Sequence, residues 1–192
     1  MNEQPWISAK WLLLAMAAIA LGLAILAWLY RYSIGNETQR RFGTEIAFVI
    51  ARAPHAEALL LDDTKDKAGD VVRWGATQRR VVARRDLCRG PSPGWSHVRT
   101  LLLRDAAYGK GQTEGNCSPD WRYGLRFWDS RRQVILLIST DCSWAAFASG
   151  WNEETADSAR RKVLSPKEDV PISIAPIQSG IGEFLAEQFE GQ

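Results

Sequence analysis

Residues Trp11 to Tyr30, WLLLAMAAIALGLAILAWLY, contain no charge and no proline. No other feature of the chain constrains its folding as strongly. A run of about twenty residues at helical rise spans about 30 Å, the thickness of a bilayer's hydrocarbon core. Trp11, Trp28 and Tyr30 stand at its ends, where amphipathic rings favour the headgroup region, and Lys10 and Arg31 close it. A buried helix of a soluble core has no need of so long an uncharged run with aromatic edges. A cleavable signal peptide has a shorter apolar region, about 7–15 residues, and then a small-x-small cleavage site. Here AWLYRYS is a poor site, and no lipobox-like cysteine follows. The run is therefore expected to be an uncleaved signal-anchor, with residues 1–10 as a tail, 11–30 as the transmembrane helix and 31–41 as a linker. Two cues to orientation disagree. Arg31, Arg40 and Arg41 after the span lean toward a cytoplasmic domain. A short tail before a long domain is the usual layout of an anchor that exports its C-terminal part.

About 160 residues follow the anchor, enough for one domain and too few for two. Residues 42–192 are expected to form a single α+β domain with a mainly antiparallel sheet and two or three helices. With 24 basic and 22 acidic residues the formal net charge is +2. That balance argues against a nucleic-acid binder, which concentrates basic charge on one face.

Along the domain, EIAFVIARAP reads as the end of a helix or a first strand, closed by Pro54. HAEALLLDD reads as a strand running into an acidic turn. VVRWG and RRVVARRDL are two β-rich runs around a glycine-containing turn, with adjacent Val81 and Val82 spoiling the alternation of the second. GPSPG breaks the chain. Ser96 then reads as the N-cap of a helix through Val98, Leu101, Leu102 and Asp105 to Tyr108, stopped by Gly109. GKGQTEGN reads as a flexible loop. YGLRFW and VILLIS form a hairpin turning at DSRR; the second strand is apolar on both faces, as in a central strand covered on both sides. SWAAFASGW reads as a continuation or a further edge, and NEETADSARRKVLSPKED as a solvated excursion. SGIGEFLAEQF reads as an amphipathic helix capped by Ser179.

The stretch from Leu101 to Cys142 resembles a family of small uncharacterised bacterial proteins, many exported or lipid-anchored. They share a helix ending Leu-Leu-x-Asp-x-x-x-Tyr, a loop to Cys, a nearby Pro, a strand with Arg-Phe, and an apolar strand ending Cys-Phe-x-Cys. Leu102, Leu103, Asp105, Tyr108, Cys117, Pro119, Arg126, Phe127 and Cys142 carry the match. Ser139 and Thr140 stand where the pattern has Cys and Phe, so the Cys-x-x-Cys pair is incomplete here. The resemblance implies export and supplies no activity.

The chemistry-bearing residues are few. A hairpin turning at Asp129–Arg132 brings Cys117 and Cys142 to nearly facing positions, as a disulfide requires. Two buried thiols are the alternative. Cys88 reads as a core thiol, and with His55 and His97 it is poor material for a metal site. A Cys88–His97 nucleophile–base pair can be written down, but no catalytic motif accompanies it. The glycines of GKGQTEG lack the order of a phosphate loop. Arg122, Arg126 and Trp128 alternate onto one strand face, with Arg131 and Arg132 at the turn, and together read as a candidate protein-binding patch. The alternative is that the arginine stems merely cover an apolar sheet.

The expected function is that of a membrane-tethered, non-catalytic binding domain with no cofactor. It would be an inhibitor or immunity-type protein, or a cell-envelope accessory factor, on the periplasmic side of the bacterial inner membrane. Its partners would be lipid along residues 11–30 and a protein, with no nucleic acid. Two alternatives stand beside it: an enzyme of unrecognised type, and a subunit acting through its helix, where Ala18 with Gly22 and Ala20 with Ala24 are small-xxx-small pairs.

Overall fold

In the computed structural model the described residues are 9–32, 36–63, 69–89, 92–109, 117–152, 161–166 and 170–190. The GKGQTEGN loop beyond Gly109 and most of the excursion after Asn152 lie outside them. The chain divides between residues 33 and 34 into two compact units.

The first unit is helix α1 (Ala9–Tyr32), whose stretch Lys10–Leu29 has a mean hydropathy of 2.6 and is nowhere buried within the protein. Leu13 is 65% exposed and Leu26 62%. Each large aliphatic side chain left in water forgoes about 1.5–3 kcal/mol of burial. A helix exposed in this way is a membrane span or a signal segment.

The second unit is α+β. Its strands are β1 (His55–Asp62), β2 (Val71–Trp74), β3 (Thr77–Asp86), β4 (Tyr123–Trp128), β5 (Arg132–Ser139), β6 (Trp144–Phe147), β7 (Gly150–Asn152), β8 (Lys162–Val163) and β9 (Ile172–Ser173). They pair in the order β7-β2-β3-β1-β4-β5-β6-β9; β8 adds in parallel to β5, and every other pair is antiparallel. Gly75, at φ +54°, turns β2 into β3.

The order conceals a closure. The N–H of Ala148 bonds to Ile135 of β5 at 2.9 Å, and the next N–H, of Ser149, bonds to Arg73 of β2 at 2.8 Å. Adjacent Cα atoms are only about 3.8 Å apart, yet β5 and β2 are separated in the order by β3, β1 and β4. The sheet must curl until the two strands nearly meet, and it forms a half-barrel. Its inner face holds a small core of Leu59, Leu61, Val72, Trp121, Ile135 and Leu137.

The outer face of β1, β4, β5 and β6 carries the larger core under the helices α2 (Asn36–Phe42), α3 (Thr44–Arg52), α4 (Trp95–Leu101) and α5 (Gln178–Phe189). Phe42 meets the rings of Phe147 at 4.8 Å and Tyr108 at 5.0 Å. Two helix ends are capped from a distance. Arg99 donates to the last carbonyls of α3, Ile50 and Ala53, both at 2.7 Å, satisfying acceptors that have no partner within a helix. Asp105 accepts the backbone N–H of Thr38 at 2.7 Å and its hydroxyl at 2.9 Å, doing the same for the N-terminus of α2.

The structure departs from the sequence reading at several points. The stretch read as linker 31–41 contains most of α2, whose Thr38 is fully buried. The domain has four α-helices among the described residues, more than the two or three expected. The single helix expected from Ser96 to Tyr108 is broken. α4 starts at Trp95, behind a left-handed Gly94, and Asp105–Ala107 forms a separate 3₁₀ turn that lets Asp105 reach α2. Ser96 and Ser179 lie inside their helices and cap neither. The imperfect alternation at Val81 and Val82 is a bulge: Leu60 faces Ala83 and Leu61 faces Val81, leaving Val82 as the extra residue, 44% exposed.

Candidate functional site

A lone glutamate in the apolar run of β1, Glu57, and a lone arginine in that of β4, Arg126, stand in register with each other on the inner face. Both are buried, at 8% and 2% exposure. Arg126 Nη1 donates to Glu57 Oε1 at 3.0 Å, while Nε and Nη2 donate to Gln133 Oε1 at 3.1 and 2.8 Å. Its guanidinium lies between two indoles, 4.8 Å from the Trp128 ring and 4.4 Å from that of Trp151. His55 stacks on the far side of this column, 5.3 Å from Trp128, and Arg84 closes the other end, 5.2 Å above Trp151. Arg84 also pairs with Asp70 and stands 4.0 Å from Glu57. A buried charge costs several kcal/mol unless it is matched. Here each charge has its partner in place, and the cluster ties β1, β3, β4, β5 and β7 together.

The five residues read as a patch do not share a surface. Arg126 is inside the curl, which corrects its assignment to an exposed strand face, and Trp128 is half-buried against it. Arg122 is exposed at the opposite end of β4, 5.8 Å from the Tyr123 ring. Arg131 is exposed at the turn, and its N–H donates to Asp129 at 2.8 Å. Arg132 faces the helices: it pairs with Asp129 at 2.8 Å, lies 3.9 Å from Glu45 and sits over Phe48. Burial pushes the Asp129 carboxyl up, and the N–H groups of Arg131 and Arg132 with the Arg132 guanidinium outweigh it, holding the group below its ordinary range. Alternation along a strand identifies a face, but only the closure at β7 reveals which face is inside.

At the other end of the hairpin Cys117 and Cys142 are disulfide-bonded, with Cα atoms 5.9 Å apart. Neither cysteine lies in a strand. They flank the ends of β4 and β5 and staple the segment leading into the hairpin to the turn that leaves it. Asp141 beside them accepts from the Ser139 hydroxyl and from the N–H of Asp120. Burial raises its carboxyl, and these hydrogen bonds with the N–H of Cys142 bring it below its ordinary range. Cys117, Asp141 and Cys142 cluster closely enough to suggest metal ligands, but both sulfurs are committed to each other and neither is a thiolate. The turn is pinned from the far side by Gln178, which accepts from Ser143 Oγ at 2.6 Å and donates to the Thr140 carbonyl.

Cys88, read as a core thiol, is exposed and free, two residues past the end of a strand whose final side chain, Asp86, accepts its N–H. His97 is exposed on α4. Asp62 ends β1 and accepts the N–H of Asp63, which pairs with Arg79 at 2.8 Å; the rest of the turn expected there lies outside the described residues. No family model, no curated protein and no solved structure matches the chain.

Proposed function

We propose that this chain is a single-pass protein of the bacterial inner membrane whose domain sits in the periplasm and works by binding a partner. One observation carries the location: an N-terminal apolar helix precedes a domain stapled by the Cys117–Cys142 bond. Disulfides persist in oxidising compartments and are rare in reducing ones, which favours export over the arginine bias after the anchor. The binding reading rests on how the polar groups are used. The buried cluster around Arg126 is engaged with itself and holds the sheet closed, so recognition falls to the surface. An inhibitor or immunity-type protein, or an envelope accessory factor, needs only such a rigid domain held at the membrane.

Location is tested by an alkaline phosphatase fusion after Gln192, combined with carbonate washing of membranes. The fusion is expected to be active and the chain to stay in the pellet. An inactive fusion, or a soluble chain beginning near Tyr32, would sink the reading. Binding is tested by photo-crosslinking amino acids placed at Phe48, Gln78 and Arg131 in cells, where discrete adducts are expected. The paired substitution His55→Gln with His97→Gln should leave any cellular phenotype intact; its loss in a folded, membrane-bound protein would favour an enzyme.

A further inference from the structure

Strand β3 contains two Arg-Arg pairs, and the fold splits both in the same sense. Arg79 and Arg84 point inward; Arg79 pairs with Asp63 at 2.8 Å and Asp120 at 3.4 Å, and Arg84 with Asp70. Arg80 and Arg85 point outward, and Arg73 of β2 joins them on that side, diagonal to Arg80 in the β2–β3 register. None of these three has a carboxylate partner among the described residues. The Arg80 Nε is buried without a hydrogen-bond partner among them, and Gly69 lies against it, where a Cβ would stand 3.2 Å away. The stem of Arg73 rests over Gly150, where a Cβ would stand 3.5 Å from it, an ordinary contact. Arg85 is held by one bond, from its Nε to the Gln188 carbonyl at 3.2 Å. Val82, pushed out by the bulge, gives the row an apolar centre.

Deepening the binding reading and resting on it, we infer that the outer row Arg73–Arg80–Arg85 docks an acidic, extended segment of a partner protein. The row consists of arginines fixed on a rigid sheet. A planar guanidinium fork offers paired donors that match a carboxylate, whereas a diffuse headgroup layer asks only for positive charge. Side chains on one edge of an extended peptide recur about every 7 Å, a spacing compatible with diagonal neighbours on adjacent strands. Asp86 and Glu187 flank the Arg85 end, where they line a cleft with Arg89, and Asp62 stands opposite Arg80 in the β1–β3 register, so Arg73, which faces Gln78 and Gly150, contributes most to the attraction.

The test uses the full chain in phosphatidylcholine nanodiscs and a fluorescein-labelled nonapeptide of alternating Glu and Thr, read by anisotropy. Binding should weaken at least about tenfold from 50 to 200 mM NaCl, as contacts between charges do when screened. It should also weaken at least about tenfold in the Arg73→Gln/Arg80→Gln variant, and by a smaller factor when both become Lys, which keeps charge and loses the fork. The Gln variant's thermal transition should stay within a few degrees of the parent's. No binding, or equal binding by parent and Gln variant, would overturn the inference. Loss of peptide binding in discs containing phosphatidylglycerol, restored by Arg73→Gln/Arg80→Gln, would assign the row to the bilayer and overturn it as well; equal binding in both discs is expected. If the peptide fails while in-cell adducts from Phe48 and Arg131 persist, the inference falls alone. If the adducts are absent too, the binding reading falls with it.

Discussion

Arg79 and Arg84 enter the half-barrel and end on carboxylates, while their neighbours Arg80 and Arg85 leave it and meet none among the described residues. One strand thus carries two populations of arginine with different physical duties. Inside, a guanidinium is tolerated only where an acid and hydrogen-bond acceptors await it, because burial removes the water that would otherwise hold the charge. Outside, Arg85 is exposed and water does that work, while Arg80 is half-buried with its Nε shielded; neither charge ends on a carboxylate among the described residues. The bulge at Val82 decides which arginine has which duty. Arg79 and Arg84 are five positions apart, an odd number, so a regular strand would place them on opposite faces. The extra residue restores a common face, and both Arg-Arg pairs split alike.

The largest effect is expected where an inner charge loses its match: Arg126→Met leaves Glu57 buried without its main partner. We expect about 3–5 kcal/mol of destabilisation in denaturant unfolding, and adding Glu57→Leu should recover part of it. A double variant no better than the single would mean that the cluster stabilises through its packing and not through matched charge. Cys142→Ser opens a loop of 25 residues and should cost about 2–4 kcal/mol. Thiol counting on the parent should find Cys88 reactive without denaturant and no other thiol. By contrast Arg80→Gln, on the outer face of the same strand, should move stability by no more than about 0.5 kcal/mol.

The smallest effect concerns acid. The N–H of Thr38 lowers the Asp105 carboxyl, burial opposes it, and the Thr38 hydroxyl lowers it further, so the group sits below its ordinary range in the folded chain. A depressed folded value means that the stabilisation is present above the unfolded value, about 3.9, and is lost as pH falls through the lower folded value. Asp105→Asn should therefore flatten the loss of stability below about pH 4 and leave neutral-pH behaviour little changed. An unchanged acid profile would show that α2 is held by Phe42 alone. The Tyr108 hydroxyl is raised by burial and by Asp105, and stays protonated to donate to the Leu102 carbonyl at 2.6 Å.

Features fixed by local pattern were legible in the sequence. The apolar helix shows in an unbroken run, the β4–β5 hairpin in its alternation and turn, and the central place of β5 in its two apolar faces. The cysteine staple followed from the hairpin. The inside of the sheet was not legible, because Arg126 looks the same on an exposed strand and on one curled inward. The difference is made by Ala148 and Ser149, which bond to strands distant in sequence and leave no periodic trace. Glu57 and Arg126 did leave a signal: each is a solitary charge in an apolar strand, and two such charges call for each other. Val81–Val82 was likewise visible as a fault in alternation whose meaning, a bulge that turns arginines inward, depends on the partner strand. The outer row was hidden for the same reason, since RR in a sequence says nothing about which arginine finds an acid.

The closure at β7 has a consequence for how the chain is made. The free edge of β2 pairs with residues that come about 80 positions later, so a chain emerging from its N-terminus exposes that edge until those residues have been made. Unpaired edges recruit other strands, and a charged side chain on the edge is a common deterrent. Arg73 occupies that edge, a charged residue of the kind that deters mispairing until Gly150 pairs with it.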